Sequence, residues 1–205
     1  VLYSDLHERR AAIELGPEEE HGWSPRYMLD WVRRWHDEQP ALIALTGNPD
    51  PGLLGDLDPA LVGRSEPKEL RAAMLECITA RSVNWTILAA PNTGWATQVF
   101  GTPDVEALWE AVARATRLDE PDLVGAWRAH TSRLQARADG LNAHGFDAVR
   151  FRGPGTELTI GLIPGARWLS ARSKTAAGIE HVPNIPTEEV FTSPDWRRAE
   201  GRIRS

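Results

Sequence analysis

"ALIALT", residues 41–46, is a continuous apolar run of strand length, stopped at once by Gly47, Asn48 and Pro49. A second run of the same kind, "VNWTILAA" at residues 83–90, is broken by Pro91. Between them "SEPKELRAAMLECITA", residues 65–80, carries helix-forming residues, with Ser65 as its expected N-cap. A strand, a helix and a second strand, all apolar enough for burial on both faces, predict a parallel pair in an α/β layer.

The neighbouring segments extend this pattern. "DLHERRAAIEL" from Asp5 is helical, after a short apolar opening at residues 1–4. "SPRYMLDWVRRWHDE", residues 24–38, places Met28, Trp31, Val32 and Trp35 at helical spacing, with Ser24 as expected N-cap and Pro25 at the first helical position. After the second strand come two more helices. Residues 104–117 put Val105, Leu108, Trp109 and Val112 on one face. Residues 122–145 align Leu123, Trp127, His130, Leu134, Ala138 and Leu141 and stop at Gly145.

Past residue 145 the pattern changes. Residues 146–171 hold three short runs, 146–152, 157–162 and 166–169, separated by "GPGT" and "IPG" turn signals. They predict an antiparallel meander. The expected organisation is therefore an α/β domain over residues 1–145, with a parallel sheet flanked by helices, and the start of an antiparallel β domain over residues 146–205. Both ends of the sequence fall inside strand-like runs, so the chain reads as a piece of something longer.

Composition bounds the function. The chain has 205 residues, of which 41% are hydrophobic and 25% charged, as in an ordinary globular protein. The formal net charge is −6, and no basic stripe suggests a nucleic-acid partner. Arg197, Arg198, Arg202 and Arg204 cluster near the end and read as solvated faces. No apolar run reaches the length of a membrane span, and the first residues do not resemble a signal peptide. The single cysteine, Cys77, forms no disulfide within the chain; it reads as a buried thiol in a reducing compartment.

The candidate chemistry lies in "HVPNIPTEEVFTSPDW", residues 181–196. Glu188 and Glu189 have two structural readings. Thr187 caps a helix that carries both acids in its first turn, or the segment is extended and sends the two carboxylates to opposite faces. No two histidines stand at zinc-motif spacing. His130, on an apolar helix face, reads as a packed histidine, and His181 as a weak partner for Glu189. "AAPNTGWA", residues 89–96, is a strand–loop–helix junction able to hold an anion, although no glycine-rich nucleotide motif is present. "RGPGTEL", residues 152–158, reads as a tight hairpin turn.

In order and approximate spacing, "SVNWTI" at residues 82–87, "GWA" at 94–96, "VF" at 99–100, "GPGTEL" at 153–158 with "GL" at 161–162, "NIPTEEVFTSP" at 184–194 and "EG" at 200–201 together resemble the M29 metallo-aminopeptidases of the aminopeptidase T type. The one departure is Ser82, where the family pattern has arginine. The resemblance implies an α/β N-terminal domain and a mostly β catalytic domain in a homodimeric, cytoplasmic hydrolase. Its substrates are peptides with a free N-terminus, and no nucleic acid or membrane is a partner. It implies two divalent metal ions, zinc or cobalt, which together lower the pKa of a shared water and polarise the scissile carbonyl. It assigns Glu189 as a metal ligand and Glu188 as a neighbour that orients the loop. The remaining ligands it implies, a bridging Glu, two His and an Asp, come from later segments. The 205 residues alone are then expected to be inactive and to hold no metal tightly. The rival reading is a non-catalytic module for dimerisation or binding.

Overall fold

The computed structural model describes residues 5–204; the opening run at residues 1–4 lies outside them. Two compact units emerge: residues 1–116 with 174–181, and residues 117–173 with 182–205. This division follows contacts, whereas the change from α/β to antiparallel pattern at residue 145 follows secondary-structure type.

The first unit begins with α1 (Leu6–Leu15), α2 (Arg26–Arg33), the one-turn α3 (Trp35–Glu38) and β1 (Ala41–Thr46). It continues through α4 (Pro59–Arg64), α5 (Lys68–Thr79), β2 (Asn84–Ala89), α6 (Thr93–Phe100) and α7 (Val105–Ala115). β1 and β2 pair in parallel with Leu42 opposite Trp85 and Leu45 opposite Leu88, as the two apolar runs predict. Their shared inner face, Leu42 and Trp85, packs on a core of Leu29, Val32, Trp35, Leu70, Cys77 and Val83. That core is the helical stripe of residues 28–35 laid against the apolar side of α5. Cys77 is buried with its thiol 3.6 Å from the Val32 carbonyl, and burial pushes its pKa up, which leaves it a packing group rather than a nucleophile.

Two expected caps act elsewhere. Helix α5 starts at Lys68, not near Ser65, because Pro67 drives Glu66 away from helical geometry. Ser65 instead accepts from Arg9 Nε at 3.0 Å and donates to the Val62 carbonyl at 2.8 Å. Ser24 does not cap the helix that follows it. Its hydroxyl accepts from Leu70 N at 3.1 Å, in the first turn of α5, while Pro25 stands at the start of α2. Asp5, Asp104 and Asp122 do cap their own helices.

Helix α1 is tied to the loop before α4 by a forked pair, Arg10 Nη1–Asp56 Oδ1 at 2.6 Å and Nη2–Asp56 Oδ2 at 2.7 Å. The Arg10 hydrogen bonds bring the Asp56 pKa from an ordinary 3.8 down to about 2. A depressed carboxyl pKa stabilises the fold above its unfolded value and stops doing so as pH falls through the folded one. This tie is therefore complete above pH 3.8 and is lost as pH drops toward about 2. The midpoint of the Asp56 carboxyl, followed by NMR, is expected to rise toward the ordinary value in an Arg10→Ala variant. An unchanged midpoint would show that Arg10 is not its cause.

The second unit is built on α8 (Leu123–His144), which ends at Gly145 in the left-handed conformation, φ 61°. The strands β3 (Ala148–Gly153) and β4 (Thr156–Leu162) form a hairpin through the turn at Pro154 and Gly155. Residues 174–181, which include β6 (Glu180–His181) paired with β5 (Ser173–Lys174), belong to the first unit, and β7 (Asn184–Ile185) of the second unit precedes the candidate segment. The third strand of the antiparallel sheet is β8 (Pro194–Ile203), paired to β4 with an irregularity between Ile160 and Leu162.

Residues 166–169 were expected to be that third strand and are not. Asn142 of α8 takes the backbone groups a strand would use: its Nδ2 donates to the Trp168 carbonyl at 2.9 Å and its Oδ1 accepts from Trp168 N at 2.8 Å. Ser170 Oγ donates to Gln135 Oε1 at 2.9 Å, and Arg172 Nη2 donates to Thr131 Oγ1 at 2.7 Å. The segment thus runs along α8. Only Leu169 makes a strand-like contact, an isolated bridge with Phe191.

Candidate functional site

The segment carrying the paired acids forms no helix. Residues 187–190 have no regular structure, so the reading in which Thr187 caps a first turn does not hold. On one side Ile185–Pro186 is a cis peptide; on the other, Phe191 is fixed by mutual backbone hydrogen bonds with Leu169 at 2.8 and 3.0 Å. Thr187 is buried, while Glu188 and Glu189 are exposed.

Glu188 is held. Its Oε1 accepts from Arg117 Nη2 at 2.6 Å and lies 3.5 Å from His130 Nε2. The Arg117 hydrogen bond is the main reason its carboxyl sits below its ordinary value. With Glu188 64% exposed, the pair contributes on the order of 1 kcal/mol after solvent screening. Glu189 makes no ion pair and no side-chain hydrogen bond among the described residues.

Arg117 is the first residue past Thr116, the C-cap of α7, and has φ 61°. Glycine is the usual occupant of such a position, because left-handed backbone costs another residue about 1–2 kcal/mol. The Arg117 side chain offsets that cost. Its guanidinium lies 5.4 Å from the Trp127 ring centroid, which adds about 0.5–1 kcal/mol, and Nη2 reaches both Glu188 and His130. Its Nη1 is buried and finds no acceptor among the described residues.

His130 completes the group. It is 3% exposed, inside the apolar face of α8, with its ring edge-on to Trp127. Nε2 lies 2.7 Å from the Thr187 carbonyl, which only accepts, so Nε2 carries a hydrogen. Nδ1 lies 3.1 Å from Arg117 Nη2, which only donates, so Nδ1 offers its lone pair. The two contacts select the neutral Nε2–H tautomer. His130 is thus the packed histidine that its helix face predicts, and its partner is the backbone of the candidate segment.

The other sequence candidates lie apart from this group. His181 packs against Trp85, with ring centroids 6.4 Å apart. The junction at residues 89–96 is filled by its own loops: Asn92 caps α6 by accepting from Trp95 N at 3.0 Å, and the Pro49 carbonyl occupies the space a side chain on Gly94 would need. An open depression of about 550 Å³ on the β3–β4–β8 sheet is lined by Arg150, Glu157, Thr159, Glu200, Gly201 and Arg202. Arg150 and Glu157 pair there at 2.5 Å, and the charges of both signs make it a solvated face. Arg198 of the terminal arginine cluster is tied to Asp147 and to the Leu162 carbonyl.

Among the described residues no group of three or more His, Cys, Asp or Glu side chains converges as a metal site. Structural and catalytic zinc sites use three or four protein ligands, so these residues alone do not fit a two-ion centre.

The family model of thermophilic metalloproteases (M29) matches residues 1–205. The chain belongs to the M29 family. Aminopeptidase T of Thermus thermophilus is 41% identical over 211 residues, covering all of this chain and 52% of that protein. Aminopeptidase PepS of Streptococcus thermophilus is 44% identical over 131 residues, covering 62% of this chain and 32% of that protein. The solved structure of wild-type AmpT from Thermus thermophilus superposes with a TM-score of 0.85 at 38% identity, covering 98% of this chain and 50% of that one. This M29 chain therefore has the α/β fold of its relatives and spans about half the length of the curated proteins it matches. No helix among the described residues is long and apolar enough to cross a membrane.

Proposed function

We propose that this chain is part of a metal-dependent aminopeptidase that removes N-terminal residues from peptides. The observation that carries the reading is the likeness of the whole chain to named aminopeptidases of its family at 41% identity. Residues 1–145 serve as the N-terminal domain and residues 146–205 open the catalytic domain. Glu189 contributes one carboxylate to a two-ion centre whose other ligands come from outside these residues, and Glu188 orients the loop. The exposure of Glu189, which has no ion pair among the described residues, beside the tethered Glu188 supports that division of labour. The ions, zinc or cobalt, would supply a water of lowered pKa and a polarised carbonyl. The enzyme works as a cytoplasmic homodimer without nucleic-acid or membrane partners.

The natural protein, loaded with zinc or cobalt, is expected to cleave an aminoacyl p-nitroanilide and to leave its N-acetylated counterpart intact. Equal cleavage of both would show that a free amine is not recognised, and absence of cleavage of either would favour a non-catalytic module.

A further inference from the structure

The left-handed Arg117, its contact with Glu188 and the tautomer of His130 have a common consequence. We infer that Arg117 and His130 are positioning residues that clamp the backbone of residues 187–189, committing the Glu188 carboxylate to Arg117 and leaving that of Glu189 exposed. The meaning for Glu189 rests on the proposed function; the conformational claim does not.

The geometry makes the clamp two-pointed. His130 Nε2 grips the Thr187 carbonyl at 2.7 Å, and Arg117 Nη2 grips the next side chain, Glu188, at 2.6 Å. The grips are coupled through one atom, because the same Nη2 donates to His130 Nδ1 at 3.1 Å and so fixes which ring nitrogen faces Thr187. His130 itself is held in the apolar face of α8 and edge-on to Trp127, so the grip comes from a rigid element. Residues 187–190 have no ladder of their own, so their backbone is set by such outside contacts. Two adjacent carboxylates with similar freedom would compete for any cation. The clamp removes that degeneracy by committing one of them to a guanidinium.

Arg117→Gly is the informative variant, since glycine accepts φ 61° and the backbone should be relieved rather than strained. Amide hydrogen exchange of residues 187–190 in the 205-residue chain is expected to speed up by at least about tenfold, with the β3–β4 hairpin unchanged. The ¹⁵N signals of His130 are expected to move from a pure Nε2–H tautomer to a mixture. Glu188→Gln is expected to loosen the same amides, and the double variant to be no faster than Arg117→Gly alone, because both act through one contact. Unchanged exchange and tautomer in Arg117→Gly would overturn the inference. If that variant fails to fold, unchanged exchange in Glu188→Gln would overturn it equally. Loosened amides in Arg117→Gly together with full activity of a Glu189→Gln enzyme would leave the clamp standing and remove the role proposed for Glu189; rigid amides with an inactive Glu189→Gln enzyme would remove only the clamp.

Discussion

Glu189→Gln in the natural protein is expected to lower kcat/KM for aminopeptidase substrates by at least about 100-fold while leaving the fold intact. The lower bound is set by the groups that merely support metal ligands, whose loss already costs about 10- to 100-fold. The amide keeps the size of the side chain and removes the charge that a divalent ion needs from its ligand oxygen. Glu189 is exposed and has no ion pair among the described residues, so stability should change by no more than about 0.5 kcal/mol. Glu188→Gln is expected to do the reverse. It weakens the Arg117 contact, costs on the order of 1 kcal/mol of local stability, and leaves most of the activity. Parallel kinetics and melting curves on the two variants separate these roles. Greater catalytic damage from Glu188→Gln would show that the ligand has been assigned to the wrong carboxylate.

The two glutamates also mark where sequence reading stops. Local sequence was compatible with a capped helix turn or with an extended segment, and nothing within ten residues decided between them. The decision comes from Arg117, which is 71 residues away, and from a histidine on α8. Arg117 itself was legible only as the last residue of a helix. Its left-handed backbone, which marks it as special, leaves no trace in the sequence, because glycine would be the usual signal there.

Elements specified locally were legible. β1 and β2 follow from uninterrupted apolar runs with glycine and proline stops, and α8 from an apolar stripe closed by Asp122 and Gly145. Ser24 and Ser65 looked like caps by position, yet each bonds to a segment distant in sequence. Residues 166–169 looked like a strand by composition, but Asn142 satisfies the Trp168 backbone before a neighbouring strand does. In each case a side chain from elsewhere supplied hydrogen bonds that local reasoning assigns to a regular element. The family resemblance reached further than periodicity because its blocks run from residue 82 to residue 201 and so carry tertiary information.

The central claim is that these residues give one carboxylate to a metal centre completed from outside them. Its most direct test is calorimetric titration of the purified 205-residue chain with zinc and with cobalt, alongside an aminoacyl p-nitroanilide assay of the same samples. No three metal-binding side chains converge among the described residues, and a lone exposed carboxylate displaces too little water to hold a divalent ion. The expected result is no turnover and no stoichiometric binding tighter than about micromolar, which corresponds to roughly 8 kcal/mol. Clear turnover, or one or two ions bound with submicromolar affinity, would contradict the claim and place a complete site within this chain.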